Sequence, residues 1–366
     1  MEKEKDQSIE TLRGLAILLV VSGHIIRQDI NPLDQNHPSF IVSVFRCLEY
    51  TLATIRLPLF TVISGFLYAA APATKETLKK LFNGKTRRIL VPYLTFSTIQ
   101  FILFCFVPNS GDHWSEFWKI YILPEHQLWF LLAVFNIFLV VGLLDAFKRL
   151  ETPKRFFSVC ALAMFLHCSF EMTGGLSMYG VNYLFPFFLL GYGIRRYASY
   201  FFSQRWALLL ASVFIVSFLF KPIFYTFMHT GLSFFGGRLL DVIVAFSGIP
   251  ILFHFRRPIP WLAFFGYYAF GIHLFHRVSI MAVRLPFQAL HIQDPMLIFA
   301  SYLIGGIIIA LFMQVIFEKS AITRVLVLGL KKTQKPVPVR IPSIPFTSKK
   351  LPAHPSAALE TVQQIS

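Results

Sequence analysis

The chain has 366 residues, of which 55% are hydrophobic, 16% aromatic and 14% charged. About a quarter of the residues of a soluble domain are charged, so this composition excludes an ordinary soluble protein, and its apolar content excludes a disordered or collagen-like chain. Lys and Arg outnumber Asp and Glu by 34 to 18, an excess that collects in the cytoplasmic segments of membrane proteins and needs no nucleic acid as a partner.

Ten apolar stretches approach the length of about 20 residues with which a helix crosses a bilayer. Most of the Lys and Arg fall in alternate connections, which predicts that the N-terminus and the C-terminus both lie in the cytoplasm. We therefore predict an all-α polytopic membrane helix bundle of about ten transmembrane helices within residues 1–320, followed by a flexible cytoplasmic tail, rich in Pro and Lys, over residues 321–366. The predicted spans are 9–27, 45–71, 89–107, 128–146, 156–171, 181–194, 206–220, 237–255, 259–281 and 296–317.

The first predicted span has Arg13 near its start and His24 deep inside it. At 3.6 residues per turn the two side chains share a face of the helix, about 16 Å apart along its axis. Charged or titratable side chains inside a span mark either a functional site or a polar contact between helices. From spacing alone both interpretations stay open: Arg13 as an anchor at the interface and His24 as an interhelical hydrogen-bond partner, or both as parts of a site.

The second predicted span has Arg46, Glu49 and Arg56 on or near one face and turns at Pro58 before the small pair Ser64–Gly65. Opposite charges this close inside a membrane are expected to pair, for either a structural or a functional purpose. The small residues let another helix or a ligand approach the backbone, and packing is the simpler role.

Lys85, Arg87 and Arg88 precede the third predicted span and belong to a basic connection. They are either an ordinary positive-inside loop or, together with Arg13, a site at the same mouth of the bundle. Converging cations of this kind bind phosphate, through the point charge of Lys and the forked contacts of Arg.

His126 opens the fourth predicted span, and His273 and His276 share a face of the ninth. No third ligand lies near this histidine pair in the sequence, so we expect no metal site, and either proton handling or packing remains open. The sequence has no G-x-S-x-G, HExxH or P-loop motif, which leaves hydrolase, zinc protease and nucleotidase functions without support.

Several segments together resemble, in the same order, the integral-membrane acyltransferase family 3, whose members O-acylate carbohydrates and other acceptors of the cell envelope. The first is the run from Arg13 to His24, similar to the R-x10-H signature of that family. The resemblance covers about residues 8–320 and accounts for ten spans. The other matching segments are 57–67, 88–93, 126–131, 187–192, 271–276 and 318–319.

The resemblance implies a membrane-bound O-acyltransferase of the cytoplasmic (inner) cell membrane. It would move an acyl group, expected to be acetyl, from cytoplasmic acetyl-CoA to a hydroxyl of an envelope polysaccharide, oligosaccharide or lipid-linked sugar, with no bound cofactor or metal. His24 would act as general base or as acyl acceptor. The implied roles are catalytic for His24 and Arg13, acyl-CoA-binding for Arg13, Lys85, Arg87 and Arg88, and acceptor-binding or proton relay for Glu49, Arg56, Ser64, His126 and His276.

The chain departs from the family pattern at two places. Gly84, Lys85 and Arg88 stand where the family often has R-R-x-x-R, and His273 stands where Tyr is common, so His273 receives no catalytic role by analogy. The alternative function is a proton-coupled transporter of a glycan or lipid, because charged residues inside spans suit a translocation pathway equally well. A purely structural membrane scaffold is a third, weaker interpretation, because a scaffold has no need for Arg and His on one helix face.

Overall fold

The computed structural model describes residues 6–35, 39–107, 114–124, 127–200, 204–227 and 233–331. Within these ranges the regular structure is helical and contains no strand, which confirms the predicted all-α class. The helices are α1 (Gln7–Ile25), α2 (Phe40–Tyr68), α3 (Leu78–Lys85), α4 (Val91–Cys105), α5 (Lys119–Ile122), α6 (Trp129–Ala146), α7 (Pro153–Ser169), α8 (Met178–Arg196), α9 (Gln204–Phe227), α10 (Ser233–His254), α11 (Pro260–Tyr267), α12 (Ala269–Ala289), α13 (Pro295–Lys319) and α14 (Ala321–Leu326).

A helix lies at each of the ten predicted spans, and in the described part of the chain six stretches are long and apolar enough to cross a membrane. The remaining four predicted spans correspond to α7, α8, α9 and the pair α11–α12. A helical protein with several candidate spans is thereby confirmed, while ten crossings and cytoplasmic termini remain predictions. The six stretches are Gln7–Leu33, Phe40–Tyr68, Leu78–Cys105, Trp129–Ala146, Phe235–His254 and Pro295–Lys319.

Local sequence explains where several helices begin. Asp6 caps α1 by accepting a hydrogen bond from the Ser8 amide at 2.9 Å, and Asp294 caps α13 in the same way through the Leu297 amide at 2.7 Å. The turn expected at Pro58 is absent, because α2 continues through this residue. Helices packed inside a bundle tolerate such a proline since neighbouring groups compensate for the lost backbone hydrogen bond.

Two π-helical turns interrupt regular helix next to candidate site residues. One, Ile26–Ile30, follows α1 directly after His24, and the other, Thr86–Leu90, joins α3 to α4 and contains Arg87 and Arg88. The basic connection before the third predicted span contains the helix α3. A π turn changes the angular register of the side chains around it and is frequent at functional sites.

Helix α1 lies inside the bundle, where it contacts α2, α11, α12 and α13. Gly14 and Gly266 bring α1 and α11 together, because a methyl group at either position would overlap a backbone carbonyl of the other helix. The prediction of a single helix over 259–281 is wrong, since the helix is interrupted at Tyr268, between α11 and α12. The two helices pack mainly against different neighbours: α11 packs along α1, and α12 packs on α13.

Helices α2 and α8 cross at small residues. A methyl group at Gly65 would overlap the carbonyl of Phe188, and one at Gly191 would overlap the carbonyl of Val62. The interpretation of Gly65 as a packing residue is thus confirmed. This crossing holds α2 firmly in the bundle, and α2 carries the charged residues of the candidate site.

The packed structure continues past the predicted boundary at residue 320. Val327 and Leu328 after α14 are only 2% and 5% exposed, and Gly329, at φ +62°, lies against the backbone of Arg87 and Arg88. The flexible tail predicted from residue 321 is therefore not found at Val327 and Leu328, which are buried on the bundle, although Ile322 and Leu326 of α14 are exposed. Residues 332–366 of the predicted tail lie outside the described residues.

Candidate active site

His24 occupies the last turn of α1, where its imidazole ring packs on that of His276 from α12. The ring centroids are 5.1 Å apart and the planes are tilted by 37°. His276 is completely buried, whereas His24 is half-buried. The histidine of the first predicted span and that of the ninth therefore form one pair.

The hydrogen bonds of His276 determine which of its nitrogens carries the proton in the neutral ring. Nδ1 lies 2.8 Å from the carbonyl oxygen of His273 and 3.1 Å from that of Ile272. Because carbonyl oxygens only accept, Nδ1 donates, and Nε2 is then the bare acceptor. This Nε2 atom is buried and has no hydrogen-bond partner among the described residues.

His273 adds a third imidazole to the neighbourhood. Its ring centroid is 5.8 Å from that of His276 and 5.2 Å from that of Phe130. In the described part of the chain no group of three or more His, Cys, Asp and Glu side chains has the arrangement of a metal site. The contact with Phe130 gives His273 the surroundings of a packed core residue.

Arg56 of α2 lies beside the backbone of α1 immediately before His24. Its Nη2 atom binds Glu49 Oε1 at 2.9 Å, which confirms that the opposite charges of the second predicted span pair. Its buried Nη1 atom has no hydrogen-bond partner among the described residues. This nitrogen lies on the backbone of Gly23, where a methyl group would overlap it, so the guanidinium is seated beside His24.

A cavity of about 940 Å³, here called the vestibule, opens from this point towards the end of the bundle at which α1 ends and α2 begins. Arg56 and Glu49 form part of its wall, so the charged pair faces both the cavity and the backbone next to His24. The remaining lining residues are Arg27, Asn31, Arg46, Tyr50, Ala53, Leu57, Leu123, Pro124, Trp129, Gly174, Ser177, Tyr179, Tyr183, Arg238 and Asp241.

Arg13, Lys85 and Arg88, here called the basic cluster, lie at the opposite end of α1. Arg13 binds Glu10 at 2.8 Å, and the Lys85 ammonium lies 3.3 Å from the centroid of the Phe138 ring. Arg13 and Arg88 are close enough for their charges to act on Lys85. Arg13, the member of the cluster that α1 carries, lies about 16 Å from His24 along the helix axis, as the rise of about 1.5 Å per residue requires.

Arg87 has different neighbours from Arg88. It lines a mostly apolar groove of about 740 Å³ with Asn83, Gly84 and the residues of α14. Consecutive side chains of a helical segment point about 100° apart, so Arg87 and Arg88 face different surfaces. The structure therefore places Arg87 beside the basic cluster, on a neighbouring surface.

Of the other two predicted site residues, the structure describes only Ser64. Ser64 Oγ donates to the Phe60 carbonyl at 3.0 Å, as serines inside helices often do. His126 lies outside the described residues.

Several partners of the site were not predicted from the sequence. Glu10 stands three residues before Arg13, a spacing that could have indicated the pair. Gly23 offered no signal, because its importance depends on an arginine from another helix. The same is true of the ion pairs Lys221–Asp241, at 3.1 Å, and Arg284–Asp29, at 2.7 Å, which join helices distant in sequence.

Comparison with known proteins supplies one match. The family model described as an acyltransferase domain matches residues 6–315, which include the histidine pair, the basic cluster and every arginine that lines the vestibule. No curated protein and no solved structure matches the chain.

Proposed function

From the premise that the chain belongs to the integral-membrane acyltransferase family 3, we propose that it is an O-acyltransferase that transfers acetyl from acetyl-CoA to a carbohydrate of the cell envelope. The family and the several candidate spans make it a multi-pass membrane acyltransferase. The donor, the acceptor and the cytoplasmic (inner) membrane as its location are parts of the proposal.

One observation carries the proposal: α1 joins the basic cluster to the vestibule. Arg13 belongs to the cluster at one end of this buried helix, and His24 at the other end lies beside Arg56, which lines the vestibule. A donor bound at one end and an acceptor bound at the other would therefore meet at His24.

The basic cluster suits the phosphates of CoA. Arg13 and Arg88 offer forked donors and Lys85 a point charge, the groups that proteins use for phosphate. The excess of Lys and Arg predicts that this end faces the cytoplasm, where acetyl-CoA is available. Arg87 would then contact the donor from the adjacent groove that it lines.

His24 would supply the proton transfer. In the direct route its ring nitrogen takes the proton from the acceptor hydroxyl, the hydroxyl oxygen attacks the thioester carbonyl carbon, the C–S bond breaks, and the CoA thiolate then receives the proton. In the alternative route a His24 ring nitrogen attacks the thioester carbonyl carbon and the C–S bond breaks as the CoA thiolate leaves. The acceptor hydroxyl then attacks the acyl group, the bond to the His24 nitrogen breaks, and the hydroxyl proton passes to the CoA thiolate. In both routes His276 Nε2 would accept a hydrogen bond from His24, which orients its ring.

Arg56 suits the negative charge that develops on the carbonyl oxygen. Its Nη1 has no hydrogen-bond partner among the described residues, and Glu49 holds the rest of the guanidinium in place. The Arg56 N–H group would therefore need no reorganisation during the reaction. Glu49 would also accept a hydrogen bond from a hydroxyl of the acceptor sugar. Ser64 and His126 remain proposed acceptor-binding or relay residues on the resemblance alone.

The test is transfer of label from radioactive acetyl-CoA to envelope glycans by membranes that contain the protein. Wild type is expected to give alkali-labile label, and His24→Ala to lose about a hundredfold or more of the rate, the usual contribution of a general base. His291→Asn is the matched control, because His291 is exposed, and its backbone at φ +53° suits Asn.

Full transfer by a correctly inserted His24→Ala protein would refute the proposal. Absence of label with wild type, together with absence of saturable CoA binding by the same membranes, would instead favour the glycan or lipid transporter, which has no need for CoA.

A further inference from the structure

The vestibule has an excess of positive charge. Among the described residues, four arginines line it, Arg27, Arg46, Arg56 and Arg238, against two carboxylates, Glu49 and Asp241. Lys221 lies directly behind Asp241, with its ammonium 3.1 Å from the carboxylate. Whatever further pairs form, the guanidinium groups outnumber the carboxylates in the described part of the cavity wall.

Both carboxylates have a cation already in contact. Glu49 receives Arg56, and Asp241 receives Lys221, which also donates to the Tyr50 carbonyl at 2.8 Å. By count of the described lining residues the wall has an excess of positive charge, and a cavity with low-dielectric walls and an excess of one sign of charge concentrates ions of the opposite sign.

One wall of the vestibule combines an arginine with aromatic rings. The Arg238 guanidinium lies 5.5 Å from the ring centroid of Tyr179 and 5.7 Å from that of Tyr183. These two tyrosine rings are nearly parallel, and Trp129 meets Tyr179 edge-on with centroids 6.4 Å apart. Aromatic side chains with an apolar face and a polar tip suit a ligand that has both apolar and hydroxylated surfaces, as a sugar ring does.

This wall is held in position by its neighbours. Leu176 and Ser177 both have left-handed backbone conformations, at φ 59° and 57°. The Ser177 hydroxyl donates to the Trp129 carbonyl at 2.9 Å, and the Asn136 amide donates to the Leu176 carbonyl at 2.7 Å. Two such residues in succession are costly unless their surroundings hold them, so the segment is organised before any ligand arrives.

The inner end of the cavity leads to the reaction centre. Arg56 lines the vestibule, and its unpartnered, buried Nη1 atom lies on Gly23, next to His24. A ligand that fills the vestibule therefore places its innermost group within the surroundings of His24.

We infer that the vestibule binds an anionic saccharide as the acyl acceptor, with its acidic group at Arg46 and Arg238 and a sugar ring against Trp129 and Tyr179. The inference rests on the proposed acyltransferase function and narrows its acceptor class. Carboxylate and phosphate share the chemistry that a guanidinium recognises, so either is a suitable acidic group.

The test measures binding of defined sugars to the full-length protein in phosphatidylcholine nanodiscs without acetyl-CoA. The probes form two matched pairs, cellobiuronic acid with cellobiose and glucose 1-phosphate with glucose. We expect the acidic member of at least one pair to bind about tenfold or more tightly than its neutral partner, the ratio that one charge-assisted contact gives. The pair with the larger ratio shows whether the acidic group is a carboxylate or a phosphate.

Arg46→Gln and Arg238→Gln should each reduce this preference about fivefold or more, with affinity for the neutral sugars nearly unchanged. Arg46 is exposed on α2, so its replacement does not disturb packing even if that of Arg238 does. Arg257→Gln is the matched control, since it removes the same charge from an exposed site that does not line the vestibule.

Equal affinity for the acidic and neutral members of both pairs would overturn the inference. So would a preference that survives in both vestibule variants, or one that disappears when phosphatidylglycerol is added, because an anionic lipid headgroup would then be the occupant. Since no donor is present, failure here is separate from failure of label transfer by wild-type membranes, which tests the acyltransferase function itself.

Discussion

His24 and His276 lie ring against ring at 5.1 Å, although one comes from the first helix of the chain and the other from the twelfth. The carbonyl oxygens of Ile272 and His273 hold the proton of His276 on Nδ1, which leaves a bare, buried Nε2 without a hydrogen-bond partner among the described residues. We therefore propose that His276 positions the ring of His24.

Replacement of His276 by Phe should lower acyl transfer about tenfold to a hundredfold, because Phe keeps the ring but cannot accept a hydrogen bond. The measurement is kcat and KM for labelled acetyl-CoA, and we expect the loss in kcat. His273→Tyr is the control, because His273 contacts Phe130 and is expected to act through packing. Equal losses in both variants would mean that His276 has a structural role alone.

Replacement of Arg88 by Gln should raise the KM for acetyl-CoA about tenfold or more and leave kcat nearly unchanged, because a charge-assisted contact to phosphate is worth about 1.5–3 kcal/mol. Arg87→Gln should raise it less, since Arg87 lines the adjacent groove. Saturation kinetics with acetyl-CoA compare the two neighbours directly. A larger effect at Arg87 would place the CoA phosphates in that groove.

Replacement of Gly23 by Ala should lower acyl transfer at least about tenfold, because its methyl group would overlap Arg56 Nη1 and displace the guanidinium from His24. Gly237→Ala is matched to it, since a methyl group there has no atom within 4 Å. The measurement is the rate of acyl transfer by the two variants at equal amounts of folded protein. Unchanged activity of Gly23→Ala would show that acyl transfer does not depend on the present position of the Arg56 guanidinium.

Replacement of Lys221 by Met should destabilise the protein by about 3 kcal/mol, because it leaves the Asp241 carboxylate half-buried without its cation. Lys221 also lies over the Tyr50 ring at 4.3 Å, so the same side chain ties α9 to α2 and α10. Thermal unfolding in detergent should show a clear drop in the midpoint and partial recovery when Asp241→Asn is added.

The comparison for Lys221 is the exposed pair of Lys148 with Glu151, 3.8 Å apart. Lys148→Met should change stability by less than about 1 kcal/mol, as is usual for exposed ion pairs. If both lysine variants unfold at the wild-type temperature, the buried pair makes no net contribution.

The sequence alone was sufficient for the class of protein, the family and the position of the helices. Composition and the length of apolar stretches depend on each residue by itself, and the spacing of Arg13 and His24 depends only on the pitch of one helix. The R-x10-H run and the ordered motifs around it identified the family that the match over residues 6–315 then confirmed.

Local rules were less reliable at the boundaries of elements. They placed a turn at Pro58, where packing keeps α2 continuous, and one helix over 259–281, where α11 and α12 follow different partners. They also ended the packed domain at 320, although burial of Val327 and Leu328 extends it. In each case contacts with other helices outweighed the local signal.

Only the tertiary structure decided how the site is assembled. The contact of His24 with His276, the seat of Arg56 on Gly23 and the separation of Arg87 from Arg88 depend on the distances and rotations between helices. Periodicity shows which face of a helix a residue occupies, but not which helix that face meets. That choice follows from packing of the whole bundle, where glycines allow close approach and buried charges must find partners from distant parts of the chain.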